Sequence, residues 1–436
     1  MISKAKLYRF LYLVAIFLLI YAPFLSIRGI TIHFPYLFTF VCSVVFIFTI
    51  LRRGVVSKIY LTFMLLYWVG GIWAFVVGLY NHNIDKSILF TYLTGSLSLF
   101  AVYPVVDFFS KKIHTDNVVF IIRAIYVSAF VHAVIMILAF FVPLFRNILY
   151  SIVPLGVKGE VFVESMVRSP GLTTGGGDAL SVIQAVGLIF GIYYFVDIRR
   201  EFSLYSFFKH IISFLILLLS ILLSARTGLV LLFLFIVGLL FYKLFIAISR
   251  STISRSLFLK VSFAIGLFLI IVPIGYNYLM QSEYSRFARR AFELYINYIE
   301  TGEIGTSSSN KVQDMYFLPK DKVHLYFGDG NFGRDDDLPY IDSDIGYIRT
   351  IYGVGIVGTI IMFMPLFYLL FVAIKSFKLN RYLSQMLVVL IVILLITNLK
   401  VFHYFEFRES FRVLFLLIAA LTVLKVQKYK TFNTYI

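Results

Sequence analysis

Twelve predominantly apolar runs divide this chain, at 7–25, 32–51, 59–79, 88–106, 118–142, 179–196, 207–223, 229–242, 257–276, 345–373, 383–398 and 411–424. A helix rises about 1.5 Å per residue and a bilayer's hydrocarbon layer is about 30 Å thick, so about 20 such residues span it. Most of the runs are near that length and a few are shorter. With 61% hydrophobic and 14% charged residues over 436 positions, the chain cannot dress the surface of a soluble globule. The expectation is an all-α, polytopic membrane bundle of about twelve transmembrane helices, with 1–436 as a single transmembrane domain. The basic residues 1–9 lead into the first run without a small-residue cleavage site, which predicts a retained first helix. The one cysteine, Cys42, excludes an internal disulfide. No internal repeat is evident, which disfavours repeat-built transporter folds.

Charge sorts the segments by side. With the N-terminus inside and the runs alternating, the inner segments take more than half of the 39 basic residues. Only Asp107, Asp116, Asp197 and Glu201 join them there, so essentially all of the net +17 falls on the inner face. This is the positive-inside bias, with both termini cytoplasmic, and it removes any need for a nucleic-acid partner; membrane lipids suffice. Arg226 stands alone between the runs 207–223 and 229–242. A single helix over 207–242 would put the basic segments around Arg199 and Arg250 on opposite faces. A turn at Ser224-Ala225-Arg226-Thr227-Gly228 puts both inside and Arg226 at the outer face.

Two outer segments are long, 143–178 and 276–343. In the first, Arg168-Ser169-Pro170-Gly171 leads through Gly175-Gly176-Gly177 to Asp178 and an apolar run. That pattern is either a turn with Asp178 as helix N-cap or a cradle whose backbone N–H groups face an anion. The second is too long for a plain connector. Within it, 284–300 reads as one amphipathic helix, with Arg286, Arg289 and Arg290 on the polar stripe. Gly328-Asp329-Gly330-Asn331-Phe332-Gly333 reads as a turn-rich loop and not a dinucleotide fingerprint. Asp335-Asp336-Asp337 reads as solvated carboxylates, and no metal or cofactor is expected.

Arginines therefore gather at the outer ends: Arg168, Arg226, the Arg286/Arg289/Arg290 group, and Arg408 and Arg412. Guanidinium groups match phosphate oxygens bidentately and stay charged. Each also admits the reading of an interfacial anchor, which is favoured for Arg412. Asp344 is either the N-cap of the helix after it or a carboxylate base. His403, in the last outer turn beside Lys400, is a second candidate base. HExxH, Walker A, GxSxG and Cys/His metal spacings do not occur, which argues against zinc catalysis, ATP-driven transport and serine hydrolysis.

Three pieces resemble one family in order and membrane side. Ser224-Ala225-Arg226-Thr227-Gly228 resembles the Ser-x-Arg-Thr/Gly-Gly element of the O-antigen polymerase and ligase superfamily. Arg168-Ser169-Pro170-Gly171-Leu172 resembles its arginine–glycine element in an earlier periplasmic loop. Asp342-Ser343-Asp344-Ile345-Gly346-Tyr347-Ile348-Arg349, with Gly353-Val354-Gly355-Ile356-Val357-Gly358, resembles its Asp-x-Gly-Tyr…Gly-Ile-x-Gly segment. The resemblance implies a Wzy-type O-antigen polymerase, similar to membrane glycosyltransferases of the GT-C type. Such enzymes join repeat units carried on undecaprenyl diphosphate, at the periplasmic face of the bacterial inner membrane. It further implies that Arg168 and Arg226 bind the lipid diphosphate, with Arg408 a further candidate, that the Arg286/Arg289/Arg290 group helps orient donor or acceptor, that Asp344 and Tyr347 line the sugar cavity, and that a chain-length regulator protein is a candidate partner. The ligase branch carries a histidine where this chain has Asp342-Ser343-Asp344, which favours polymerase. O-antigen ligase and lipid-linked oligosaccharide flippase are the competing readings.

Overall fold

The computed structural model describes residues 4–21, 23–27, 30–53, 57–113, 117–195, 204–250, 276–302, 305–333, 338–402 and 408–433. The expected span 257–276 lies almost wholly outside them. Every other expected run carries a helix: α1 (Lys4–Tyr21), α2 (Phe34–Arg53), α3 (Lys58–Tyr80), α4 (Lys86–Lys112) and α5 (Asn117–Phe141) in the first part. After α5 come two short outer helices, α6 (Pro143–Ile152) and α7 (Val157–Glu164), then α8 (Asp178–Tyr193), α9 (Leu204–Ser224) and α10 (Thr227–Arg250). The late outer segment holds α11 (Ser285–Ala291), α12 (Glu293–Thr301), α13 (Ser307–Asp314) and α14 (Lys322–Phe327). The chain closes with α15 (Gly346–Lys375), α16 (Arg381–Thr397) and α17 (Arg408–Asn433). Among the described residues, α3, α4, α5 and α15 are long and apolar enough to cross a membrane, and several others are shorter apolar helices.

Three expectations need correction. The first run does not stay helical to residue 25: α1 stops at Tyr21, two residues before Pro23, whose ring disfavours helical backbone just ahead of it. Leu25–Ile27 and Ile30–Ile32 then pair as a small antiparallel hairpin, β1 and β2, with Ser26 opposite Thr31. The amphipathic stretch 284–300 is two helices broken at Phe292. The first outer segment is more than a turn, since α6 and α7 precede the glycines.

α3 shows what solvates the bundle. Its exposed stripe is Leu61, Leu65, Val69, Ile72, Val76 and Leu79, spaced three or four apart along one face. Tyr60, Phe63, Tyr67, Gly70 and Ala74 are buried on the other face. A helix that is apolar inside and out is solvated by lipid, which makes this a membrane protein. At the other extreme is α17, whose residues from 413 to 421 are each at most 1% exposed. It is the buried centre of the bundle, packed on α1, α3, α4, α5, α8 and α16.

α15 is broken at Gly355, where φ is 69°. The glycine-rich loop at 328–333 docks at the break. Asp329 N–H donates to the Tyr352 carbonyl at 2.8 Å and Gly330 N–H to the Gly353 carbonyl at 2.9 Å. Trp73 Nε1 donates to the Val354 carbonyl at 3.3 Å. Irregular backbone in such a helix persists only where protein satisfies it, and here loop and tryptophan do so. A Cβ on Gly355 would stand 2.2 Å from the Tyr326 carbonyl carbon, so only glycine admits this approach.

Candidate functional site

The site begins where α9 gives way to α10. α9 runs against α8: Gly191 near the end of α8 abuts Phe214 at the middle of α9, whereas Leu223 at the end of α9 takes a 3.0 Å hydrogen bond from Ser169 N–H, in the loop that leads into α8. α10 starts beside the start of α8, because Gly228 N–H donates to Ser181 Oγ at 2.7 Å. A Cβ on Gly228 would lie 2.3 Å from the Ser181 carbonyl oxygen. The chain therefore reverses at Ala225-Arg226, and two helix N-termini meet, with their positive dipole ends together.

Around that junction the side chains form a charged cluster. The Thr227 hydroxyl donates to Asp178 Oδ1, and Lys400 Nζ donates to Thr227 Oγ1 at 2.9 Å while lying 3.9 Å from Asp178 Oδ1. Arg226 Nη1 meets Glu293 Oε2 at 2.6 Å, with the two side chains 19% and 21% exposed. Arg168 arrives from the loop before α8. Its Nη1 would be 3.2 Å from a Cβ on Gly177, and its guanidinium lies 4.4 Å from the centre of the Phe162 ring. Burial pulls the Arg168 guanidinium below its ordinary pKa, Asp178 raises it and Arg226 lowers it again, so all three share one electrostatic field. Its Nε is buried without a hydrogen-bond partner.

The Arg168 loop is pinned from below. Ser169 Oγ donates to the Met136 carbonyl at 2.9 Å, and Leu172 N–H donates to His132 Nε2 at 3.1 Å. His132 is fully buried, stacked on Tyr21 at 4.4 Å, with Nδ1 2.7 Å from the Gln184 side-chain amide. The cap of α8 is Gly177, so Asp178 is not the N-cap: it stands in the first helical turn, turned toward Thr227 and Lys400.

A second group lies at the start of α15. Asp344 is not its N-cap either; Ile345 holds that place, and Ser343 Oγ accepts from Ile345 N–H at 3.2 Å. The Asp344 carboxylate, 65% exposed, faces Arg349 Nη2 at 3.4 Å. Arg349 is buried and also donates to the Ser343 and Gly333 carbonyls, tying down the end of the late outer segment. Tyr347 donates its hydroxyl to the Leu395 carbonyl at 2.9 Å, joining α15 to α16. The turn after α16 links the two groups: Asn398 accepts from Tyr347 N–H at 3.3 Å, and Lys400, two residues on, reaches Thr227.

The structure thus brings Arg168 and Arg226 together, from positions far apart in sequence. Arg286 and Arg289 stand exposed on α11 and Arg290 is half-buried; the residue of that segment that reaches Arg226 is Glu293, beyond the break. His403, the side chain of Arg408 and Asp335-Asp336-Asp337 lie outside the described residues. Arg412 is buried at 6% exposure, so it does not snorkel to the headgroups as an interfacial anchor would. Sequence reasoning missed Lys400 and Glu293 as members of the cluster. The one available signal for Lys400 was its place as the first charge after the uncharged run 383–398.

No protein-family model matches the chain, and no curated protein matches it.

Proposed function

We propose that this protein is an O-antigen polymerase. It would join oligosaccharide repeat units carried on undecaprenyl diphosphate, at the periplasmic face of the bacterial inner membrane. The proposed topology has twelve crossings with both termini cytoplasmic. The observation that carries the proposal is the convergence of Arg168, Arg226 and Lys400 on two helix N-termini at one end of the bundle. Three cations against the two carboxylates of Asp178 and Glu293 leave that place net positive, as a diphosphate requires.

In the reaction, a hydroxyl of one lipid-linked unit attacks the anomeric carbon of the growing chain. The new glycosidic C–O bond forms as the C–O bond to diphosphate breaks, and undecaprenyl diphosphate departs with the bonding pair. Preorganised guanidinium groups stabilise the charge that develops on the leaving oxygen. Asp344 and His403 are the candidate acceptors of the hydroxyl proton, and Arg408, Arg286, Arg289, Arg290 and Tyr347 are candidate contacts to diphosphate and sugar. A chain-length regulator would be a partner.

The test is the surface polysaccharide of a strain lacking the gene. The proposal expects core bearing a single repeat unit, restored to polymer by the wild-type gene. Unattached polymer would mark a ligase, and units stranded on the cytoplasmic side a flippase; either overturns the proposal.

A further inference from the structure

α6 is amphipathic in the opposite sense from a helix that covers a core. None of its residues is buried, and Leu144, Ile148 and Ile152 are 72%, 54% and 45% exposed on one side. Its arginine is turned to the protein instead, where Arg146 Nη2 donates to the Phe140 carbonyl at 3.3 Å. On α7, Val157 and Val161 are exposed beside the equally exposed Lys158 and Glu160, while Phe162 turns under Arg168.

This apolar edge does not stand alone. Val131 and Leu138 on α5, with Val142 just beyond it, are exposed and lie within a narrow arc of that helix. α5 is long and apolar enough to cross a membrane, so this arc faces acyl chains. Val142 is also the cap residue of α6, so the exposed aliphatics of α5 are followed directly in the chain by Leu144, Ile148 and Ile152. Asn147 and Ser151 flank that stripe on one side, which suits a helix lying at the level where tails give way to headgroups.

We infer that α6 and the adjoining edge of α7 form a shelf immersed in the outer interface of the bilayer, with membrane lipid as its occupant. Because α7 carries the Phe162 ring that packs on Arg168, the shelf borders that guanidinium. An anion borne on a lipid then reaches Arg168 without leaving the membrane. Only the identity of that anion rests on the glycosyl-transfer proposal.

The chain's single cysteine makes the test direct. In a Cys42→Ser background, Leu144→Cys, Ile148→Cys and Lys158→Cys are each labelled with a nitroxide and placed in lipid nanodiscs without substrate. Collision rates with oxygen, which concentrates among acyl chains, and with a water-soluble nickel chelate are compared. The expected result is an oxygen-to-nickel ratio several-fold higher at 144 and 148 than at 158. Equal ratios at the three sites would overturn the shelf, as would exclusion of both reagents at 144 and 148 with dipolar broadening from a second copy. Since no substrate is present, these outcomes stand whether or not the strain test supports a polymerase.

Discussion

Arg226 and Glu293, 67 residues apart, are joined by an ion pair of 2.6 Å beside the junction of α9 and α10. Arg226 immediately precedes α10, whereas Glu293 opens α12, a helix with no buried residue of its own. Its neighbour α11 is better anchored, through Phe287 against Phe140. The glutamate thus holds, from a helix that buries none of its residues, the cation expected to take the diphosphate. A diphosphate entering the cluster must displace that carboxylate.

Glu293→Gln removes the competing charge while keeping the side chain's shape. Inorganic pyrophosphate binding, followed by calorimetry on the purified protein, is expected to tighten about tenfold, equivalent to about 1.4 kcal/mol. The gain shrinks with added salt, because both groups are partly exposed. Unchanged or weaker binding would mean that the ion pair does not guard the cluster.

Gly228→Ala tests the junction of α8 and α10. The added methyl would stand 2.3 Å from the Ser181 carbonyl oxygen, so the two helix starts must part. Overpacking of this kind costs about 1–3 kcal/mol. A lower thermal midpoint in detergent is expected, together with weaker pyrophosphate binding, since Thr227 then leaves Asp178. A variant that melts and binds like the parent would contradict the close approach.

Asp329 gives a pH dependence. Burial raises its carboxyl above the ordinary range, outweighing the lowering effects of Asn331 N–H and His324. The folded state therefore holds the proton more tightly than the unfolded one. Stability is greatest below the unfolded pKa and falls as pH rises through the folded one. Asp329→Asn keeps the acceptor for Asn331 N–H, so the variant is expected to melt higher than the parent at neutral pH. The advantage should vanish on acidification, and melting curves across pH check both parts.

The helices were legible in the sequence because lipid imposes a long, uninterrupted apolar pattern, and the turn at Arg226 was legible from charge bookkeeping. The association of Arg168 with Arg226 was suggested by their common side and by the family resemblance, not by any local pattern. The remainder was hidden for identifiable reasons. Pro23 and Phe292 end helices that hydropathy alone would continue. The break in α15 depends on a loop that docks from more than twenty residues upstream. Lys400 and Glu293 join the cluster through tertiary packing, and apart from the place of Lys400 after an uncharged run nothing in their neighbourhoods announces it. Arg412 looked like an interfacial anchor because sequence shows a charge at a helix end but not which way that end faces.

The central claim is that the outer cation cluster drives glycosyl transfer from a lipid diphosphate, and Arg226 tests it most directly. Purified protein in nanodiscs is given undecaprenyl-diphosphate-linked repeat units, and product length is read on a gel. Wild type is expected to build polymer and release undecaprenyl diphosphate. Arg226→Ala, folded by its melting curve, should lose polymer by at least about a hundredfold in rate, the scale of one lost electrostatic donor. Arg226→Lys should recover little of it, because a point charge cannot replace the bidentate fork. Full-length polymer from a folded Arg226→Ala protein would contradict the account.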